Sequence, residues 1–189
     1  NGSRAQQPFF KELNIDPQND NVKATAVYQD KDEIIYVGTD MGLFKYDGFN
    51  FTLIDFPEKI ISKEVKFIKN VNNELWVCMG DGSIFTYSKE KRKILKSPIK
   101  SPVSSIVELD NKTVWVSTYG EGIFYRIGKD WHRLSGIPDP YIYQIVKHPS
   151  GHILAGTDAG LIVINPTFDA ISFRVYNSKS GLADYIVKT

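Results

Sequence analysis

Four acidic residues occupy four similar glycine-bearing segments of this 189-residue chain. Asp40, Asp81, Glu121 and Asp158 each stand one or two residues before a glycine. Carboxylates displayed together on one face of a protein could bind a cation or the hydroxyl groups of a sugar. In tight turns, however, an Asp more often accepts hydrogen bonds from its own backbone. Both interpretations stay open at the level of the sequence.

A second group of candidate binding residues is aromatic. It consists of Tyr119, Trp131, Tyr141 and Tyr143, which lie in or beside predicted connecting segments. Loops on a rigid scaffold often carry binding residues, and aromatic rings stack on sugars or anchor protein partners. The alternative is that Trp131 and Tyr143 pack between structural units instead.

No constellation of residues indicates catalysis. The three histidines are His132, His148 and His152, and the last two flank a short polar turn with no third metal ligand nearby in sequence. The chain has no phosphate-binding loop, nucleophile elbow or His-Glu-x-x-His zinc motif. Its single cysteine, Cys78, excludes an intrachain disulfide. We therefore expect no catalytic residue, no metal and no cofactor.

The charge balance argues against two classes of partner. Lys and Arg number 23 against 22 Asp and Glu, which gives a net charge of +1. This balance provides no electrostatic basis for binding nucleic acid or an anionic membrane. No apolar run approaches the length of a membrane span. We expect neither nucleic acid nor membrane contact from this segment.

The glycine-bearing segments belong to an internal repeat. Three sets of equivalent positions recur at intervals of 38 to 40 residues: Gly38, Cys78, Ser117 and Gly156; Gly42, Gly82, Gly122 and Gly160; and Val27, Phe67, Ile106 and Ile145. A period near 40 with four short strands per unit is the signature of a β-propeller blade. We name the strands of each blade a to d, in chain order.

The repeat predicts an all-β chain with four complete four-stranded blades. Their predicted ranges are 22–56, 62–97, 102–135 and 141–176. In the turn between strands b and c, glycine is needed where φ becomes positive or backbones approach closely. We assign this structural role to Gly38, Gly42, Gly82, Gly122, Gly156 and Gly160. Thr39, Thr118 and Thr157 are expected to tie the same turns through their hydroxyl groups.

The two ends of the chain do not fit a whole blade. Residues 1–8 are predicted to be a disordered remnant, and residues 9–189 form the propeller segment. The stretch 8–13 resembles a strand d, and 181–189 resembles the start of another blade. We expect a fragment of a larger propeller. A compact closure of four or five blades, or a homodimer through the open propeller faces, is the alternative.

The residues from Ile34 to Phe51 resemble the two-component regulator propeller repeat, in which aromatic-Val-Gly-Thr is followed by Gly-Leu and aromatic-Asp. The resemblance implies the periplasmic sensory part of a hybrid two-component histidine kinase that responds to glycans. The kinase itself would lie outside these residues. A second hypothesis is an interaction scaffold without a small-molecule ligand, and a third is a propeller lyase or hydrolase.

Overall fold

The computed structural model describes residues 12–16, 18–19, 21–56, 61–88, 91–167 and 171–188. Within these residues the chain forms sixteen strands in four separate antiparallel sheets, plus one short 3-10 helix, Ser178–Ser180. Each sheet contains four strands that pair in chain order. Sequence periodicity therefore predicted the all-β blade architecture correctly.

The strand bounds are as follows. The first blade contains β1 Ala24–Gln29, β2 Ile35–Thr39, β3 Leu43–Tyr46 and β4 Phe51–Ile54. The second contains β5 Val65–Val71, β6 Glu74–Met79, β7 Ile84–Ser88 and β8 Lys91–Leu95. The third contains β9 Val103–Glu108, β10 Val114–Thr118, β11 Ile123–Ile127 and β12 Asp130–Arg133. The fourth contains β13 Ile142–Lys147, β14 Ile153–Thr157, β15 Gly160–Asn165 and β16 Ser172–Tyr176.

The predictions for the two ends have separate outcomes. Residues 1–8 lie outside the described residues, as does most of the strand expected at 8–13, of which Glu12 and Leu13 are described and belong to no strand. Residues 181–188 also form no strand. The backbone N–H of Val187 nevertheless donates to the Thr157 carbonyl at 2.9 Å, so this segment runs beside β14.

Successive blades pack face to face because each strand alternates its side chains between two neighbours. Three buried clusters join the first blade to the second, the second to the third, and the third to the fourth. In the second blade, Ile68, Val77 and Phe85 form a cross-strand row that faces the first blade. The equivalent rows of the third and fourth blades also face the preceding blade; they are Ile106, Val116 and Phe124, and Ile145, Ala155 and Ile162.

Hydrogen bonds between the a strands of neighbouring blades join residues 40 positions apart. The Thr25 hydroxyl donates to the Val65 carbonyl, and the Ser105 hydroxyl donates to the Ile145 carbonyl at 3.0 Å, each across 40 residues. Gly38 permits this close approach because a Cβ there would lie 2.5 Å from the Val65 side chain. These contacts between neighbouring blades therefore have the same 40-residue spacing as the sequence repeat.

The b–c turns are closed by buried threonine hydroxyls. Thr39, Thr118 and Thr157 donate to the carbonyls of the turn glycines at 2.8, 2.8 and 2.9 Å. In the second blade Met79 replaces the threonine, and the Asp81 carboxylate accepts from the Ser83 N–H at 3.0 Å. A side chain closes each turn, although its chemistry differs in the second blade.

Substitution of Gly160 should be far more destabilising than substitution of Gly128. Both glycines have positive φ, 120° and 60°, but a Cβ at Gly160 would lie 2.1 Å from the Tyr176 carbonyl oxygen, whereas Gly128 has open space. We expect Gly160→Ala to lower the free energy of unfolding by about 2 kcal/mol more than Gly128→Ala. Urea unfolding of both variants measures the difference. Equal losses would contradict the crowding inferred at Gly160.

Candidate ligand-binding face

Three of the four turn carboxylates bind the segment that leads into their own blade. Asp40 accepts from the Lys23 N–H at 2.9 Å. Glu121 accepts from two successive N–H groups, of Lys100 and Ser101, both at 2.7 Å. Asp81 accepts from the Ser62 N–H at 3.4 Å. These carboxylates therefore fasten the b–c turns of the first three blades to the segments that precede strand a.

Hydrogen bonding also sets the ionisation of Asp81. Burial alone would raise the pKa of its carboxyl group, but hydrogen bonds from the hydroxyl and N–H of Ser83 and from the N–H of Ser62 more than offset that effect. The pKa of Asp81 therefore lies below its ordinary value, and the ion is held within the turn.

Asp158 differs from the other three because its partner is the side chain of a strand a residue, Tyr143, and not the backbone of the segment before strand a. The Tyr143 hydroxyl donates to Asp158 Oδ1 at 2.7 Å. This bond to a carboxylate raises the pKa of Tyr143 well above its ordinary value, because a phenolate beside Asp158 would lose the bond and be repelled. Tyr143 is thus held as a neutral donor.

Tyr143 belongs to a cluster of three tyrosines at the junction of the third and fourth blades, which we call the tyrosine ledge: Tyr119, Tyr141 and Tyr143. The Tyr119 ring centroid lies 5.1 Å from that of Tyr141, edge to face, and 5.8 Å from that of Tyr143. Tyr119 and Tyr141 are 48% and 45% exposed. Three candidates that the sequence placed in two segments, Tyr119 in one and Tyr141 with Tyr143 in the other, therefore form one partly exposed aromatic surface.

Backbone hydrogen bonds fix the position of the ledge. The Tyr119 N–H donates to the Pro102 carbonyl at 2.9 Å, and the N–H groups of Gly120 and Gly122 both donate to the Pro140 carbonyl. An isolated β-bridge pairs Tyr119 with Tyr141. The b–c turn of the third blade is thereby joined to the segment that leads into the fourth, which holds the two rings together.

Two further residues at the ledge were not predicted from the sequence. The Lys188 ammonium group lies 5.0 Å from the Tyr143 ring centroid, within the range of a cation–π contact. Asp139 is buried, and its carboxylate accepts from the Tyr141 N–H at 2.9 Å. The repeat gave no signal for Lys188, because the described residues after β16 form no strand and so have no equivalent position in the other blades.

Trp131 does not join the ledge. It lies on β12, donates its indole N–H to the Lys96 carbonyl at 3.0 Å, and packs with its ring 6.2 Å from that of Trp76. Its place is the junction of the second and third blades. Of the eight predicted binding residues, the structure brings together Tyr119, Tyr141, Tyr143 and Asp158, whereas Asp40, Asp81, Glu121 and Trp131 are engaged elsewhere.

His148 and His152, the histidines considered as metal ligands, lie in the described part of the chain. His148 and His152 each contact the Ser150 hydroxyl through Nδ1 at 2.7 Å, on an exposed turn. Across the described ranges, no group of three His, Cys, Asp or Glu side chains could hold a metal ion. In these same ranges no helix is long and apolar enough to cross a membrane.

Comparison with known proteins addresses the fold. No family model and no curated protein matches the sequence. Among solved structures, the extracellular domain of a protein named as the hybrid two-component system BT4673 of B. thetaiotaomicron matches with a TM-score of 0.67, 19% identity and 80% of this chain covered. That of BT3049 from the same organism also matches with a TM-score of 0.67 and 19% identity, over 81% of this chain. The chain is a β-propeller segment.

This segment spans only part of the proteins it resembles. It covers 21% and 24% of the two B. thetaiotaomicron chains. A catalytically inactive variant of virginiamycin B lyase from Staphylococcus aureus also matches, with a TM-score of 0.66, 15% identity, 90% of this chain covered and 60% of the lyase chain. At these identities the likeness is one of fold. The first two matches agree with the resemblance of the blade motif to the two-component regulator propeller repeat.

Titration of Tyr143 should reveal its bond to Asp158. Because its folded-state pKa is raised, the bond stabilises the fold below about pH 10, the pKa of a free phenol, and is lost as pH rises through the higher folded value. We expect Asp158→Asn to lower the pKa of Tyr143. The difference in phenolate ultraviolet absorbance between each protein and a Tyr143→Phe control reports on the titration of Tyr143 alone. An unchanged Tyr143 titration in Asp158→Asn would contradict the assigned cause.

Proposed function

We propose that the chain is a ligand-binding segment of an extracytoplasmic, periplasmic sensor in a hybrid two-component signalling protein, and that its ligand is a glycan. The observation that carries this proposal is the convergence of three tyrosines with Asp158 and Lys188 on one loop face. The structural likeness to extracellular domains of hybrid two-component systems supports the sensor part. This role is non-enzymatic, and any kinase would be elsewhere in the protein.

The ledge has the chemistry that carbohydrate recognition needs. The exposed rings of Tyr119 and Tyr141 offer apolar faces for the C–H surface of a sugar ring. Hydroxyl groups of the sugar could bond to the phenol oxygens, to the second oxygen of Asp158 and to the Lys188 ammonium group. Because the backbone bonds of the Tyr119 turn fix this arrangement, binding would require little reordering.

Loss of an exposed ledge ring should weaken glycan binding. We expect Tyr141→Ala to reduce affinity at least tenfold for any oligosaccharide that binds the wild type, because one stacked ring contributes about 1.4 kcal/mol. The matched control is Tyr176→Ala, a 38% exposed tyrosine on an outer strand. Isothermal titration calorimetry against a panel of oligosaccharides measures both. Equal affinity of the two variants, or no binding by the wild type, would contradict the proposal.

A second candidate function is an interaction scaffold, in which a second copy packs on the open face of the first blade. Val27, Val37, Phe44 and Leu53 form a cross-strand row there that corresponds to the rows facing the preceding blade in the other three sheets. The two ends of this row are exposed, Val27 by 72% and Leu53 by 51%, whereas its two central residues are buried. On the fourth blade, Val146 is 36% exposed on the face that points away from the third. The two faces would pair as neighbouring blades do.

A charged substitution on the outer face of the first blade tests the scaffold function. We expect Leu53→Glu to abolish concentration-dependent association, because a carboxylate would have to be buried between two sheets. Thr52→Glu changes the adjacent exposed residue on the opposite side of β4 and is the control. Sedimentation equilibrium measures association. A wild type that stays monomeric at all concentrations would remove the scaffold candidate and leave the glycan proposal intact.

A further inference from the structure

A pocket lies at the opposite end of the blades from the b–c turns, between the second and third blades. It has a volume of about 220 Å³, several times the ~30 Å³ that one water occupies in the liquid. Asn72 comes from the a–b turn of the second blade, Asn111 and Lys112 come from that of the third, and Arg126 comes from the end of β11. Its polar lining is therefore built from two blades.

The central feature of this pocket is a positioned but unpaired guanidinium group. Arg126 lies over two indoles, with its Cζ atom 5.8 Å from the Trp76 ring centroid and 5.9 Å from that of Trp131. Its Nε is buried and donates to no acceptor in the described part of the chain. None of the ion pairs found among the described residues includes Arg126. Stacking holds the group in place, and among the described residues no carboxylate neutralises its charge.

The rest of the lining also favours a negatively charged group. The Asn111 side-chain oxygen accepts from the N–H and hydroxyl of Thr113, so its NH₂ group remains as a donor. Lys112 adds a second cation, which Glu108 contacts at 3.4 Å. Two cationic side chains and the Asn111 amide therefore line the pocket, and Glu108, which also accepts from the Asn72 N–H at 3.2 Å, is the neighbouring carboxylate.

We propose that this pocket binds an oxyanion: the carboxylate, sulfate or phosphate group of a small ligand. The planar fork of Arg126 matches the paired oxygens of such a group, and no carboxylate among the described residues forms an ion pair with Arg126. The site is independent of the tyrosine ledge, which lies at the b–c turn end of the next blade junction. Stacking on the indoles alone is the competing explanation for Arg126.

Tryptophan fluorescence provides a site-specific test, because two of the chain's three tryptophans contact Arg126. Sulfate, phosphate and acetate are titrated separately at constant ionic strength, with chloride as the balancing anion. We expect a saturable fluorescence change with at least one of the three anions, and their order of affinity would identify the preferred group. No change, or a non-saturating change that chloride reproduces, would overturn the proposal.

Variants link that signal to the pocket. We expect Arg126→Met to weaken binding at least tenfold, whereas Arg92→Met should not, although Arg92 also lies over an aromatic ring, 5.9 Å from the Tyr87 centroid. Because Arg126→Met also removes packing from two indoles, Lys112→Gln is the second variant, and it changes an exposed side chain. It should weaken binding several-fold without altering the far-ultraviolet circular dichroism. Wild-type affinity in Lys112→Gln and in folded Arg126→Met would show an adventitious ion only and overturn the site.

Discussion

The fold of this segment depends on one constraint: each sheet must bury its apolar faces against neighbouring sheets, as the second and third sheets do on both sides. A four-stranded sheet with apolar residues on both sides is not stable alone in water, so the blades stabilise one another in series. The strand rows meet this constraint because their apolar positions recur in register in each blade. Burial also places the b–c turns of all four blades at one end, where side chains from successive blades can meet.

The same constraint explains why the fold could be predicted from the sequence. The 40-residue spacing of Val27 and Phe67, and of the turn glycines, reflects contacts that the structure shows directly, such as that from Thr25 to Val65. The threonine hydroxyls were also foreseen, because a buried turn of this shape leaves few other ways to satisfy its backbone. The periodic features of the sequence were thus sufficient to predict the blade architecture.

Features outside the period could not be predicted in this way. Trp131 was grouped with the tyrosines because it precedes a connection, but it lies near the start of strand d, at the other end of the blade. The contact of Lys188 with Tyr143 depends on the path of the chain after β16, which the repeat does not specify. Three of the turn carboxylates accept backbone hydrogen bonds within their own blades, and only Asp158 is combined with the aromatic cluster. Carboxylates thus stabilise the b–c turns of the first three blades, whereas in the fourth blade the carboxylate of Asp158 belongs to the aromatic cluster.

The central functional claim is that the junction of the third and fourth blades binds carbohydrate through the tyrosine ledge. The most direct measurement is an NMR titration of the isotope-labelled chain with an oligosaccharide, followed through the tyrosine ring and backbone amide signals. The account predicts saturable shift changes centred on Tyr119, Tyr141 and Tyr143, with the signals of the first blade unchanged. Shift changes centred on another blade, with the three tyrosines unaffected, would contradict it.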